Sequence, residues 1–154
     1  MLGVLMRETF VIKQDDINDL AKKVMDVLSG MRTTNAKVVH LGGDLGAGKT
    51  TFTKELASLI GIEKEEVNSP TFILKKEYKT VHPQFRKLIH IDAYRFATPE
   101  EGKVLKIEED LDDMYNLIAI EWPGKMQPIK PDVEVHFSVI DDDTREVTFA
   151  HDQK

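Results

Sequence analysis

Eight consecutive residues combine glycines, a lysine and a threonine in an arrangement suited to a polyphosphate. Residues 43–50 read Gly-Asp-Leu-Gly-Ala-Gly-Lys-Thr, the pattern of a phosphate-binding loop. The glycines let successive backbone N–H groups curl around phosphate oxygens without a Cβ in the way. Lys49 can reach the terminal phosphates, and the Thr50 hydroxyl can coordinate Mg²⁺. A nucleoside triphosphate site is therefore predicted, with further contacts from Asp44, Leu45, Gly46, Ala47, Gly48 and Thr51.

The flanks of this loop predict a strand before it and a helix after it. Residues 38–41 form an apolar run, and Phe52, Leu56, Leu59 and Ile60 follow at helical spacing. The N-terminus of such a helix adds unpaired N–H donors and a partial positive charge. A glycine turn that ends in Lys-Thr by chance is the alternative, and both flanks argue against it.

Two further apolar segments each end in a carboxylate. Residues 88–92 read Leu-Ile-His-Ile-Asp, and residues 117–121 read Leu-Ile-Ala-Ile-Glu. In a parallel sheet, both acids would lie at the edge that carries the phosphate loop. An acid after a strand is also common as a solvated terminus or a helix cap, so neither acid is specific alone. Beside a phosphate loop, Glu121 or Asp92 can hold Mg²⁺ while the other orients the attacking water.

The order of predicted elements favours an α/β fold: a mixed β-sheet with flanking helices of the P-loop NTPase type, in one small domain spanning residues 1–154. Strands are predicted at 10–12, 38–41, 72–78, 88–92, 117–121, 133–139 and 146–149. A first helix is expected to be capped by Asp15 or Asp16 and to stop at Gly30, and the phosphate-loop helix is expected to end near Gly61. Residues 108–113 are predicted to form a short helix and loop.

Composition excludes several classes of protein. The chain has 154 residues, no cysteine and a net charge of −6. Disulfides, thiolate zinc sites and cysteine nucleophiles are therefore ruled out, and a broad nucleic-acid-binding face is disfavoured. No apolar run approaches the roughly 18 residues of a membrane span, and the N-terminus does not fit a signal peptide. A cytoplasmic protein without a membrane partner is expected.

Three smaller features of the sequence can each be interpreted in two ways. The histidines have no metal-ligand spacing and are predicted to be structural or exposed, although His90 and Asp92 share one strand face. Residues 68–72 fit a turn, or a switch loop that senses the γ-phosphate. Trp122, directly after Glu121, fits either core packing or a lid beside the nucleotide.

Together the motifs resemble the TsaE (formerly YjeE) ATPases, which serve bacterial biosynthesis of the threonylcarbamoyladenosine modification of tRNA. The resemblance spans nearly the whole chain and rests on four segments in the same order and spacing. They are residues 43–52, Ser-Pro-Thr-Phe at 69–72, His-Ile-Asp-Ala-Tyr-Arg at 90–95 and Glu-Trp-Pro at 121–123. Gly102, Lys106 and Gly124 depart from the family pattern, which affects the helix near residue 100 and its docking surface.

The resemblance implies roles that the residues alone leave open. Thr71 corresponds to a switch-type threonine, Asp92 to the acid near the γ-phosphate, Glu121 to the Mg²⁺-linked acid and Trp122 to a tryptophan beside the active site. It also implies ATP or ADP with Mg²⁺, and hydrolysis that is weak alone and stimulated by partners. Those partners would be a TsaD-type threonylcarbamoyl transferase and a TsaB-type companion protein, with tRNA contacted indirectly through the complex.

Two other functional classes stay open. A small-molecule kinase on this fold typically clamps phosphates with clustered arginines. The five arginines here do not cluster in sequence: Arg7, Arg32, Arg86, Arg95 and Arg145. The other class is a nucleotide-gated interaction module without physiological turnover. A GTPase is disfavoured because the chain has no Asn-Lys-x-Asp segment.

Overall fold

All seven strands in the described part of the chain belong to one sheet. The computed structural model describes residues 4–68 and 74–153. The strands are β1 (Val4–Lys13), β2 (Lys37–Gly42), β3 (Lys75–Lys79), β4 (Lys87–Asp92), β5 (Asn116–Glu121), β6 (Val133–Val139) and β7 (Thr144–Gln153). Their order across the sheet is β1-β7-β6-β2-β5-β4-β3. β6, β2, β5 and β4 are parallel to one another, whereas β7 pairs antiparallel with β1 and β6, and β3 with β4. The predicted mixed sheet is therefore confirmed.

Helices cover the sheet and complete two apolar cores. The α-helices are α1 (Ile17–Gly30), α2 (Lys49–Leu59) and α3 (Glu108–Leu111), and short 3₁₀ helices span Gln14–Asp16, Lys64–Glu66, Pro99–Leu105 and Pro123–Lys125. In α1, apolar residues recur every three or four positions, and this stripe packs with Phe52 and Leu56 of α2 against one sheet face. A smaller cluster, including Ile89, Ile118 and Met126, lies on the other face. None of the helices in residues 4–68 and 74–153 is long and apolar enough to cross a bilayer.

Several predicted boundaries are corrected by long-range pairing. β1 is longer than the predicted 10–12 because it pairs with β7 over ten residues, and β7 is correspondingly longer than 146–149. Gly30 does not stop α1 in a left-handed conformation; it is the last helical residue, and the extended backbone of Met31 ends the helix. Asp16 occupies the N-cap position, but its side chain makes no capping hydrogen bond. Residues 72 and 73 of the predicted third strand lie outside the described residues.

One of the three departures from the family pattern, Gly102, has a packing explanation. Gly102 is buried, and a Cβ there would lie 2.2 Å from Gln127 Oε1 and 3.0 Å from Met126 Cβ. Lys106, which follows the same 3₁₀ helix, has a left-handed φ of 51°, a conformation that glycine adopts with least strain. Gly124 faces open space. The helix of residues 99–105 thus packs closely on the segment after Trp122.

His40 on β2 is predicted to make the stability of the fold depend on pH. Burial lowers the pKa of His40 from 6.5 to about 4, and Nε2 is buried without a hydrogen-bond partner among the described residues. Because the folded pKa is the lower one, the unfolded chain takes up the proton first. The free energy of unfolding should therefore fall as the pH decreases from about 6.5 towards 4.

Urea unfolding across that pH range tests the assignment. A His40→Gln variant should lose part of the slope, and His136→Gln, at an exposed position on the neighbouring strand, is the control. Equal slopes in all three proteins would contradict the role of His40.

Candidate functional site

A cavity of about 400 Å³ opens at the carboxyl ends of the parallel strands. This edge is the expected ligand crevice of an open α/β sheet. The lining comes from the phosphate loop, the first turn of α2, the ends of β4 and β5, and nearby loops. It comprises Gln14, Leu45, Gly46, Gly48, Lys49, Thr50, Thr51, Leu74, Asp92, Tyr94, Arg95, Glu121 and Trp122. Most of the predicted site residues are thus brought to one place.

Two predicted site residues, Asp44 and Ala47, do not line this cavity, and a third lies outside the described residues. The Asp44 side chain is exposed beside the loop. Ala47 is buried in the main core, its N–H donates to Asp44 O at 3.1 Å, and its carbonyl accepts from Arg145. Thr71 lies outside the described residues, so its switch role stays a prediction.

The phosphate loop owes its shape to glycines with positive φ. The φ angles of Gly43, Gly46 and Gly48 are 127°, 77° and 125°, in a region that other residues rarely adopt. At Gly43, a Cβ would also lie 2.4 Å from the carbonyl oxygen of Phe137 on β6. Any other residue at Gly43 would have to displace β6 or the loop.

The N-terminus of α2 is open for an anion. Gly48 is the N-cap, no side chain caps the helix, and the first turn holds no acidic residue. The first helical hydrogen bond runs from Phe52 N to Gly48 O at 2.8 Å, so the four preceding N–H groups have no acceptor within the helix. These donors and the helix dipole match the requirements of a polyphosphate.

Lys49 is buried at the mouth of the loop. Its ammonium donates to the carbonyl oxygens of Gly43 and of Asp44, the latter at 3.3 Å, and lies 4.0 Å from the centroid of the Trp122 ring. Burial lowers the pKa of Lys49, while the charges of Glu121, Asp92 and Asp44 oppose that shift. Among the described residues, Lys49 thus has neutral carbonyl oxygens as its hydrogen-bond acceptors and three carboxylates nearby.

Glu121 connects the first turn of α2 with a histidine on β4. Thr50 Oγ1 lies 3.3 and 3.5 Å from the two Glu121 carboxylate oxygens. His90 Nε2 lies 2.6 Å from Glu121 Oε2, and both side chains are buried. Since a carboxylate only accepts, we infer that His90 donates from Nε2; Nδ1 has no partner among the described residues.

Asp92 lies beside Glu121 because of strand register. The parallel pairing of β4 with β5 sets these two residues opposite each other. Asp92 is buried, and its Oδ1 accepts a hydrogen bond from Tyr94 N–H at 3.0 Å. The two predicted acids therefore share one edge of the sheet, as the sequence indicated.

Trp122 belongs both to the cavity wall and to the smaller core. Its ring centroid lies 5.1 Å from that of Tyr94, and its partly buried side chain packs on the second apolar cluster. The backbone is left-handed, with φ of 58°, and Trp122 N–H donates to Leu41 O at 3.3 Å. A non-glycine residue in this conformation is a local strain of the kind that clusters at functional sites.

The residues also fit a magnesium ion. Among the described residues, no group of three or more His, Asp or Glu could hold a metal. Mg²⁺ at nucleotide sites commonly takes only one or two protein oxygens and completes its shell with phosphates and water. The adjacent oxygens of Thr50 and Glu121 provide such a donor set.

Sequence reasoning missed two contacts at this site. His90 was expected to be structural or exposed, and the face that it shares with Asp92 was the available signal for its contact with Glu121. Arg145 of β7 donates from Nε to Ala47 O at 2.9 Å. No local pattern connects those two residues, which are 98 positions apart.

Comparison with known proteins identifies the family. A family model described as "Threonylcarbamoyl adenosine biosynthesis protein TsaE" matches residues 11–147. The chain belongs to the TsaE family. It is 35% identical over 146 residues to the TsaE protein of Rickettsia bellii, covering 94% of both chains. It is 34% identical over 144 residues to that of Aquifex aeolicus, covering 93% of this chain and 95% of the relative. The resemblance read from the motifs is confirmed.

A solved structure extends the likeness to the TsaE-family fold. The crystal structure of YdiB from Bacillus subtilis matches with a TM-score of 0.65 and 25% sequence identity. The match covers 97% of this chain and 88% of YdiB. The α/β fold predicted for this TsaE-family chain is thereby confirmed.

The buried pair of His90 and Glu121 yields a stability prediction for this TsaE-family protein. His90→Leu would remove the His90 donor from the buried Glu121 carboxylate and should cost ~1.5–3 kcal/mol of unfolding free energy. His90→Gln, whose amide can still donate, should cost clearly less. Urea unfolding at neutral pH gives both values, and equal losses would show that Glu121 does not depend on this hydrogen bond.

Proposed function

We propose that this TsaE-family protein binds ATP or ADP with Mg²⁺ and hydrolyses ATP in support of threonylcarbamoyladenosine (t6A) biosynthesis. The observation that carries the proposal is the uncapped, acid-free N-terminus of α2, which follows a glycine loop and lies beside the contact of Thr50 with Glu121. The printed name of the family and of its relatives supports the pathway.

The loop amides and Lys49 would bind the phosphates. The four free N–H groups of Gly48 and the first turn of α2 supply fixed donors for phosphate oxygens. Lys49 presently donates to two neutral carbonyl oxygens, and a phosphate oxygen would give it a charged acceptor. The replacement of a neutral carbonyl by a charged phosphate oxygen as the acceptor for Lys49 favours a polyphosphate over an uncharged ligand.

The metal would be held by Thr50 and Glu121. When bound, Mg²⁺ neutralises charge that develops on the phosphate oxygens. Glu121 already touches the Thr50 hydroxyl, and His90 holds one of its carboxylate oxygens in place. This fixed carboxylate supports Glu121, rather than Asp92, as the acid on the metal side.

Asp92 is then the acid available for the attacking water. It lines the cavity beside Glu121 and is buried, and the Tyr94 N–H restrains its carboxylate. A carboxylate in that position can orient a water for in-line attack and accept its proton. We assign Thr71, by family resemblance, to a switch that completes the site.

The proposal also includes partner proteins that carry the tRNA. A net charge of −6 is unsuited to gripping RNA by its phosphates, which supports indirect contact with tRNA. We propose that a TsaD-type transferase and a TsaB-type companion carry the tRNA, in the cytoplasm, and that they stimulate hydrolysis. Within the described residues, the cavity lining contains one arginine, Arg95, which is fewer than a phosphoryl-transferring kinase normally uses.

The phosphate site is tested by Lys49→Ala and Thr50→Ala. Each should lower ATP hydrolysis at least about tenfold, or ~1.4 kcal/mol of transition-state stabilisation, because one removes the phosphate cation and the other a metal ligand. Phosphate release is the measurement, and Lys22→Ala, at an exposed position on α1, is the control. Full activity in a folded Lys49→Ala protein would overturn the site assignment.

Partner dependence separates the three functional classes. Phosphate release should be slow for the protein alone and should rise when a TsaB–TsaD complex is added, together with the yield of modified tRNA. Turnover that needs a small acceptor such as a nucleoside, with no partner effect, would indicate a kinase. Nucleotide-dependent binding to the partners without turnover in any mixture would indicate a gated interaction module.

A further inference from the structure

Arg145 of β7 contacts the phosphate loop without lining the cavity. Its Nε donates to Ala47 O at 2.9 Å, and one terminal nitrogen donates to Asp141 O at 2.7 Å and to Thr144 O at 3.1 Å. The side chain is only 5% exposed and does not line the cavity. A buried guanidinium is costly unless its donors are hydrogen-bonded, and here backbone carbonyls accept from three of its five N–H groups.

The contact with Ala47 determines how the next N–H group points. The peptide between Ala47 and Gly48 is trans, so its carbonyl and its N–H point in opposite directions. With the carbonyl bonded to Arg145, the Gly48 N–H is directed away from Arg145. Gly48 lines the cavity, and no backbone carbonyl of the described residues accepts its N–H.

This peptide needs an external restraint. Gly48 has φ of 125° and no Cβ, so rotation of the preceding peptide meets little steric resistance. A rotated peptide would turn the Ala47 carbonyl oxygen towards the phosphates and replace attraction with repulsion. The hydrogen bond from Arg145 opposes that rotation.

We propose that Arg145 is a positioning residue that aligns the Ala47–Gly48 peptide for polyphosphate binding. The inference rests on the proposed nucleotide site and adds a determinant from the last strand of the sheet. The same guanidinium bonds to the β6–β7 turn, which is closed by Ile140 N donating to Thr144 O at 3.0 Å. The geometry of that turn therefore sets the position of the arginine behind the loop.

The test compares two variants of Arg145 with a stability control. Arg145→Met keeps the length of the side chain but removes its donors, and Arg145→Lys keeps the charge without the guanidinium fork. Phe149→Leu alters a buried residue of the same strand whose ring contacts His151 and Lys23, away from the loop. Calorimetric titration with Mg·ADP and Mg·ATP, well below each melting temperature, gives the affinities.

Arg145→Met should lower the affinity for Mg·ADP and Mg·ATP about tenfold, or ~1.4 kcal/mol of binding free energy. Arg145→Lys should lower the affinity by a smaller factor. Phe149→Leu should lose stability but keep its affinity. If Arg145→Met does not fold, Arg145→Lys decides: an affinity below that of Phe149→Leu supports the role, and an unchanged affinity overturns it.

The other outcomes distinguish this inference from the proposed function. A parent protein without affinity for either nucleotide would overturn the proposed function itself. Binding by the parent protein with unchanged affinity in Arg145→Met would overturn only the positioning role. An equal loss of affinity in Phe149→Leu would overturn it as well, because general destabilisation would then explain the effect.

Discussion

The parallel register of β2, β5 and β4 is the constraint on which the candidate site depends. It sets Leu41 beside Glu121 and Glu121 beside Asp92, so that the phosphate loop and both acids emerge at one edge of the sheet. A slip of one residue in β5 would turn the Glu121 side chain to the opposite face and away from Thr50. The apolar residues that fill both faces of these strands prevent such a slip, since it would exchange the residues of the two cores.

Polar contacts from distant elements hold the site in place within that register. His90 fixes Glu121 from β4, and Arg145 bonds to the Ala47 carbonyl from β7. Lys49 is kept near the loop by the carbonyls of Gly43 and Asp44. Donors and charges that are already oriented need little reorganisation when charge develops, which is how polar sites stabilise a transition state. Without these hydrogen bonds, the Glu121 carboxylate, the Lys49 ammonium and the loop amides would sample a wider range of orientations.

The sequence predicted what depends on local pattern and missed what depends on partners far along the chain. The strand at residues 133–139 was predicted correctly, as was the order of strand, glycine loop and helix around residues 43–50, because alternation and glycine spacing are local signals. The full length of β1 was missed because it comes from pairing with β7 at the other end of the sequence. The contacts of His90 and Arg145 span 31 and 98 positions, and they follow from strand register and hairpin geometry. Such contacts leave no periodic signal in the sequence.

The loops after β4 and β5 act together as one wall of the cavity. Lys125 donates from Nζ to Tyr94 O at 2.9 Å, and the Tyr94 ring packs against Trp122. The strained backbone of Trp122 is held by its hydrogen bond to Leu41 and by the helix that starts at the next residue. The Trp122 ring lies over the Lys49 ammonium, 4.0 Å from ring centroid to nitrogen. The segments 90–95 and 121–123 are therefore in direct contact, and a displacement of one would shift the cavity wall formed by the other.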